Sequence, residues 1–429
     1  MTFGSALKPK PPKPRLWALI DCESFYCSCE RLFRPDLIDQ PVAVLSNNDG
    51  CLVALTPEAK ALGFKRGAPY FQEAERLNQA GVAVFSSNYA LYGDLSRRFI
   101  GCLEATVPVV TPYSIDEAFV PLDQTLADRA EEVGWEMLNK TRAWVGLPTR
   151  VGIGATRTLA KLANRWAKKL SRVFRLPEAP WALDDLLAKT PVADVWGIGS
   201  GSTRKLARLG IATALDLRRL DPVVAKRELT VKGLKTVWEL NGVQAIDDDL
   251  APVPAKSLMS SRSFGAKVTE FEPLMAAIAG HCETIGARLR AEKLLTSALS
   301  VFIGTAHYIS RPTQTGAVVE PKEPTDYTPA LIKAARLALT SCYRPGLKYA
   351  RAGVMAFDLR PAERVSLLAT PAYLNQRAEL MAAVDQVNQR YGRGTLGFTA
   401  NQKAPWRTRF DRLSKVSTTA WGSLPVVKA

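Results

Sequence analysis

Tyr113-Ser114-Ile115-Asp116-Glu117-Ala118-Phe119 places two adjacent acids inside a run of apolar, β-prone residues. Carboxylates a few ångströms apart repel, and one takes up a proton unless a cation lies between them. Oxygen ligands with no His or Cys nearby suit a hard ion such as Mg2+, which keeps several waters and usually binds substrate phosphates as well. Neighbouring side chains on a regular strand point to opposite faces, so Asp116 and Glu117 can share an ion only where the strand twists, bulges or ends. The stretch predicts that irregularity. By itself it is equally compatible with an acidic pair on a solvated hairpin edge.

Upstream, Leu16-Trp17-Ala18-Leu19-Ile20 reads as a buried strand that ends at a third acid, Asp21. The chain then turns helical, with adjacent aromatics at Phe25 and Tyr26. Pro41–Ser46 and Cys51–Leu55 read as hairpin partners around the polar turn Asn47-Asn48-Asp49-Gly50. A helix from Pro57, suited to a first turn, stops at Gly63. Residues 28–85 thus look like a small insertion. Asn88 to Ala105 reads as a helix with Tyr89, Tyr92, Leu95, Phe99 and Leu103 on one face, leading to the acidic strand.

The 429 residues, 47% hydrophobic, are enough for two to four domains. Lys and Arg number 57 against 41 acids, a net charge of +16. A polyanion is the natural partner, and charge alone admits RNA, DNA or an anionic membrane surface. No apolar run of about 18 residues is present and no signal-peptide core, so the expectation is no membrane span and a cytoplasmic location. Seven cysteines read as reduced thiols, and Cys27-Ser28-Cys29 as structural because no second pair stands at zinc-site spacing. The two histidines, His281 and His307, lie far from the acids in sequence, which argues against an imidazole base.

Residues 150–175 carry Arg150, Arg157, Lys161, Arg165, Lys168, Lys169, Arg172 and Arg175 and no acid. From Thr158 the run is helical, with Leu159, Leu162, Ala163, Trp166 and Leu170 on one stripe and Lys161, Arg165, Lys168 and Arg172 on another. One face packs and the other meets anions. Gly152-Ile153-Gly154 lacks the third glycine of a dinucleotide fingerprint, Arg157 standing in its place. Leu183–Leu220 is helical around Trp196-Gly197-Ile198-Gly199-Ser200-Gly201, a glycine hairpin that suits one phosphate without regard to base, or a simple turn. Residues 246–254 read as a linker, and Ser261–Asp358 as strand, helix, strand, strand, helix, strand: a four-stranded sheet with two helices on one face. Residues 8–15 form an extended basic tract. The last 70 or so residues are weakly patterned, and Arg390, Arg393, Lys403, Arg407, Arg409, Arg412, Lys415 and Lys428 there outnumber Asp411.

Asp21, Asp116 and Glu117 are sufficient to hold two Mg2+ about 3.5 to 4 Å apart, an arrangement suited to phosphoryl transfer. At this point the sequence resembles the Y-family translesion DNA polymerases, most closely the UmuC-type catalytic subunit of bacterial DNA polymerase V. The resemblance runs in order through Ile20–Glu30, Leu45–Cys51, Ser86–Tyr89, Tyr113–Phe119, Leu159–Asn164, Val195–Gly199 and Ser261–Gly265. It implies an α+β multidomain right-hand polymerase: palm at 16–27 and 86–170, fingers at 28–85, a helical thumb with a helix-hairpin-helix at 171–245, a linker at 246–255, a β-α-β-β-α-β little finger at 256–360 and a tail at 361–429. It implies error-prone, template-directed synthesis past damaged bases in the SOS response to DNA damage, by attack of a primer 3'-OH on a deoxynucleoside triphosphate.

By the same resemblance Asp21, Asp116, Glu117 and the Cys22 carbonyl are metal ligands. Tyr26, with Phe25 beside it, is the steric gate against a ribose 2'-OH. Lys161 and Lys60 bind the triphosphate. Arg165, Lys168, Gly197, Ile198, Gly199 and Arg262 meet DNA. Pro57 stands where the family has a tyrosine hydroxyl for the phosphate, and Arg157 where a lysine is common. The implied partners are primer-template DNA, deoxynucleoside triphosphates, a UmuD'-like dimer and the RecA filament, on the nucleoid. Ser366-Leu367-Leu368-Ala369-Thr370 lacks the glutamine and the aromatic anchor of a sliding-clamp peptide, which predicts weak clamp binding. A polymerase-like scaffold without catalysis and a nucleotide cyclase on a related palm are the rival readings. The intact acids oppose the first; the basic helix, glycine hairpin and extra domain oppose the second.

Overall fold

The computed structural model describes residues 16–246, 255–306, 312–362, 371–392, 394–398, 410–415 and 418. The basic tract at 8–15, the linker residues 247–254, His307, the segment at 366–370 and the cations Arg393, Lys403, Arg407, Arg409 and Lys428 fall outside these. The chain divides into two compact units, one of Met1–Ser46, Gly50–Asp249 and Arg412–Ala429, the other of Asn47–Asp49 and Leu250–Asp411.

The first unit is built on a five-stranded sheet in the order β5-β6-β1-β7-β8. Its strands are β1 (Leu16–Cys22), β5 (Thr111–Pro112), β6 (Glu117–Leu122), β7 (Thr149–Gly154) and β8 (Val173–Arg175). Every residue of β1 is buried, the mark of a strand covered on both faces and the reason it reads as a continuous apolar run. Ile20, Ala18, Ala118, Val120, Val151 and Ile153 face one core with α4 (Tyr89–Glu104) and α6 (Ala130–Val145). Trp17, Leu19 and Phe119 face the other way, onto Ala160 of α7 (Arg157–Ala167).

Gly152 and Gly154 lie on that second face. A Cβ at Gly152 would stand 2.0 Å from the Asn164 nitrogen, and one at Gly154 2.8 Å from the Ala160 nitrogen. The glycine pair therefore serves close helix-on-strand packing. Helix α7 ends before Leu170, which is 58% exposed rather than part of the packed stripe. The helix face predicted at 88–105 is as expected except that Tyr89 is 46% exposed.

Between β1 and α4, the helix α1 (Phe25–Arg31) follows a left-handed Ser24. A three-stranded sheet, β3-β2-β4, then joins β2 (Val42–Leu45), β3 (Leu52–Leu55) and β4 (Ala83–Ser86) with α2 (Pro57–Ala61) and α3 (Tyr70–Gln79). A short α5 (Gln124–Asp128) follows β6. Beyond β8 come α8 (Pro180–Ala188), α9 (Ser200–Arg208), α10 (Ala214–Arg218) and the 19-residue α11 (Pro222–Leu240), broken at Thr230 with φ 68°. Buried Glu239 of α11 accepts from the Thr158 N–H at 3.0 Å, tying this helical layer to the start of α7.

The second unit holds β9 (Ser257–Val268), α12 (Phe271–Ala291), β10 (Leu294–Thr305), β11 (Gln314–Val319), α13 (Thr328–Cys342) and β12 (Tyr349–Pro361), in the predicted order. Its sheet runs β11-β10-β12-β9. Ala352, Val354, Ala356, Val301 and Ile303 pack against Leu274, Ile278 and Leu331 of the two helices. The weakly patterned tail contains an element the sequence reading does not anticipate, α14 (Pro371–Tyr391). It is held by Asp385, whose carboxylate takes two hydrogen bonds from Arg290 at 2.6 and 2.9 Å.

Candidate active site

Asp21 stands opposite Glu117 on one side and opposite Arg150 on the other. Directly opposed residues of antiparallel strands share a face. Three strands thus put one charged row across the sheet, where the apolar face under α7 ends. Strand β6 begins at Glu117, and Asp116 sits in the preceding bend. There Tyr113 and Ser114 both donate their N–H to the Glu117 carbonyl, at 2.9 and 3.1 Å, and Cys22 donates to the Asp116 carbonyl at 2.9 Å. The predicted irregularity is this bend. It is what lets consecutive acids approach the same strand end.

Arg150 Nη2 lies 2.5 Å from Asp21 Oδ1, and Lys161 Nζ lies 2.8 Å from Glu117 Oε2. Ser114 Oγ donates to Asp116 Oδ1 at 2.5 Å. Burial raises the pKa of Asp21; Arg150 opposes the rise, and Glu117 and Asp116 add to it. Among the described residues no three His, Cys, Asp or Glu side chains form a metal-binding cluster. Asp21 and Glu117 instead face the two cations, and Asp116 accepts from Ser114. The side-chain chemistry still suits a hard divalent ion: three carboxylates and no His or thiolate come from the end of β1 and the start of β6, with Asp21 buried and crowded by like charge.

The left-handed Ser24 turns the chain so that Phe25 and Tyr26 follow within four and five residues of Asp21. Phe25 is buried, and the Tyr26 ring is stacked on Tyr92 with centroids 4.4 Å apart and 13° between planes. Lys60, exposed on α2, has its pKa lowered by desolvation and then by the nearby charges of Lys168 and Arg66. Lys161 reaches Glu117, and its ammonium also lies 4.4 Å from the Tyr113 ring centre.

Gly197 has φ 88° and Gly199 is the N-cap of α9, while Ile198 is buried, leaving the hairpin's backbone as its outward surface. The basic stripe is not without acids once folded: Arg165 pairs with Asp194. Arg157 turns inward, its guanidinium 4.2 Å from the Trp17 ring centre and 5.4 Å from that of Phe119. In the second unit Arg262 is exposed on β9, on the helix-bearing side of the sheet opposite Ala352.

Two partners of the charged row escape a sequence reading. Arg150 registers there only as one cation of a basic run, although it is the counterion of Asp21. Buried Asn164 accepts from Arg150 Nε at 2.7 Å and donates to the carbonyls of Leu19 and Arg150, at 3.1 Å each. Only strand register reveals the first, and nothing in the periodicity of α7 marks the second.

The fold is that of the Y-family DNA polymerases. A Dbh–Dpo4–Dbh chimera of that family superposes with a TM-score of 0.64 at 16% identity, over 81% of this chain and 99% of that one. Residues 20–165 match the impB/mucB/samB family, 255–368 its C-terminal domain, and 378–427 a domain of unknown function (DUF4113). Protein ImpB of Salmonella typhimurium is 38% identical over 96% of this chain and all of its own length. Protein UmuC of Salmonella typhimurium strain LT2 is likewise 38% identical over 96% of this chain and all of its own.

The chain belongs to the impB/mucB/samB family of Y-family DNA polymerases, enzymes of error-prone, translesion DNA synthesis in the SOS response. Y-family polymerases are generally dependent on divalent metal ions. No helix among the described residues is long and apolar enough to cross a membrane.

Proposed function

We propose that Asp21, Asp116, Glu117 and the Cys22 carbonyl hold two Mg2+ ions and that the charged row is where a deoxynucleotide is joined to a primer 3'-hydroxyl. When bound, the ions supply a lowered hydroxyl pKa and neutralise charge on the departing pyrophosphate. The observation that carries this reading is the alignment of Asp21 with Glu117 across paired strands, with Asp116 in the adjoining bend.

Arg150 and Lys161 keep the acids neutralised, and Asn164 fixes the Arg150 guanidinium. Lys161, one side-chain rotation away from Glu117, and Lys60 bind the triphosphate. Tyr26, flanked by Phe25, closes on the sugar and excludes a 2'-hydroxyl. The Gly197-Ile198-Gly199 backbone, Arg165, Lys168 and Arg262 contact primer-template DNA. Arg165 meets it by leaving Asp194.

The palm would be 16–27 and 86–170, the fingers 28–85, the thumb 171–245 and the little finger 256–360, with a tail from 361. A UmuD'-like dimer and the RecA filament are the partners that likeness to the UmuC protein supports, in the cytoplasm on the nucleoid. Clamp binding through residues 366–370 would be weak for want of an aromatic anchor.

Primer extension with Mg2+ tests the core of this. Asp116→Ala should lower extension about a thousandfold or more, since it removes charge stabilisation of the transition state, while DNA binding remains salt-dependent and intact. Extension like the parent's would overturn the assignment.

A further inference from the structure

The Tyr26 ring is held from behind. Tyr92 stacks on it at 4.4 Å, and Tyr89 meets it edge-on at 6.2 Å. Tyr92 is fully buried, and its hydroxyl donates to Glu30 Oε1 at 2.6 Å. Glu30 is itself only 2% exposed, and burial raises its pKa against the pull of its hydrogen bonds from Tyr92 and Ser414.

Ser414 comes from the far end of the chain. Its Oγ donates to the same Glu30 oxygen at 3.3 Å and accepts from Asn88 Nδ2 at 2.9 Å. Asn88 Oδ1 in turn caps α4, the helix that carries Tyr89 and Tyr92, by accepting from the Leu91 N–H at 3.2 Å. The segment is seated by its backbone: Ser86 N–H donates to the Arg412 carbonyl at 2.9 Å, and Arg412 N–H donates to Ser86 Oγ at 3.0 Å. Thr418 is anchored further along α4 by donating to Asp94.

We infer that the C-terminal segment around Ser414, within the stretch matching the domain of unknown function, is a positioning element for sugar selection: it completes the chain Asn88–Ser414–Glu30–Tyr92 that fixes the ring behind Tyr26. This rests on the reading of Tyr26 as the gate. The physical argument is one of satisfaction. A buried carboxylate is costly unless its hydrogen bonds are made. With Ser414 in place Glu30 is a fixed acceptor, the Tyr92 hydroxyl has one position, and the stacked face presented to Tyr26 is set. Without it, Glu30 must find water or another donor, and the stack loosens. Tyr92, Glu30 and Ser414 touch no substrate; they act through Tyr26.

The test is the ratio of kcat/KM for a deoxynucleotide over the matching ribonucleotide, in primer extension by the full chain. A ratio taken within one preparation is unaffected by the fraction of folded enzyme. Tyr26→Ala should abolish the preference. Ser414→Ala and Tyr92→Phe should each lower the ratio about 3- to 10-fold, the loss expected for one buried hydrogen bond. The double variant should lose no more than the larger single effect, because both act in one chain, and Ser414→Thr, which keeps the hydroxyl, should restore the ratio. Unchanged ratios in Ser414→Ala and Tyr92→Phe, beside a lost preference in Tyr26→Ala, would overturn this inference and leave the gate standing. An unchanged ratio in Tyr26→Ala would overturn the gate, and the inference with it.

Discussion

The two larger sheets of this protein treat charge differently. The five-stranded sheet is covered on both faces and still carries Asp21, Glu117 and Arg150 in one row at its end. Among the described residues, the helices that cover the four-stranded sheet lie on one face. Its open face carries Phe302, Arg351 and the 62%-exposed Val318, where charges meet water. A charge kept in a two-sided sheet must be answered by a partner of opposite sign, whereas one on an open face need not be. The proposed site sits where the first condition holds.

The largest effect should come from breaking that answer. Arg150→Ala leaves Asp21 without its cation and is expected to cost about 3–5 kcal/mol of stability. In the other unit Arg290→Ala frees the one-third-exposed Asp385 and removes the hydrogen bonds to the Asp326 carbonyl and the Thr328 hydroxyl, and should cost about 2 kcal/mol. Denaturant titrations of the two variants compare them directly, and equal losses would erase the contrast.

A smaller effect concerns a buried titratable group of the second unit. His281, its Nδ1 2.9 Å from Ser260 Oγ, has its pKa pushed down to about 4 by burial and then by Arg262. In the folded state it stays neutral while the unfolded chain takes up a proton. Stability is therefore unaffected above about pH 6.5 and falls as the pH drops towards 4, by up to about 3 kcal/mol. Amide exchange along α12 as a function of pH reads this. His281→Gln should flatten the dependence, and an unchanged slope would show that another group carries it.

The smallest contrast is steric. Gly152→Ala drives a Cβ into the backbone of α7, 2.0 Å from the Asn164 nitrogen, whereas at Gly353 it meets the tip of the Phe302 ring at 2.3 Å and the Ser261 Cβ at 2.4 Å. The ring can swing away and leaves one close contact for the neighbouring strand to relieve; at Gly152 all the nearest atoms are helix backbone. Gly152→Ala should lower stability by about 2–3 kcal/mol and Gly353→Ala by less, as read from unfolding midpoints.

Much of this was legible in the residues, and the reasons for the gaps are physical. The strand at Leu16–Ile20 announces itself because a strand buried on both sides is apolar throughout. The break before Glu117 follows from the strand period once both acids are asked to share one ion. The second unit's element order is plain from periodicity, and its edges shift by a few residues only. Pairing in space is what stayed hidden: Arg150 opposite Asp21 depends on register, and Arg165 meeting Asp194 on how a later helix folds back. Helix α14 escaped because few of its described side chains are buried, Met381 among them, and part of its fixing comes from an ion pair with a residue 95 positions away. Ser414 could not be found at all from its surroundings, since its partners lie more than 300 positions upstream.

The glycine contact between β7 and α7 has a further consequence. With no side chain between strand and helix, Lys161 of α7 and Arg150 of β7 belong to a single stiff block, so the two cations that face the acids keep their spacing. Adjustment between these two is confined to rotating side chains.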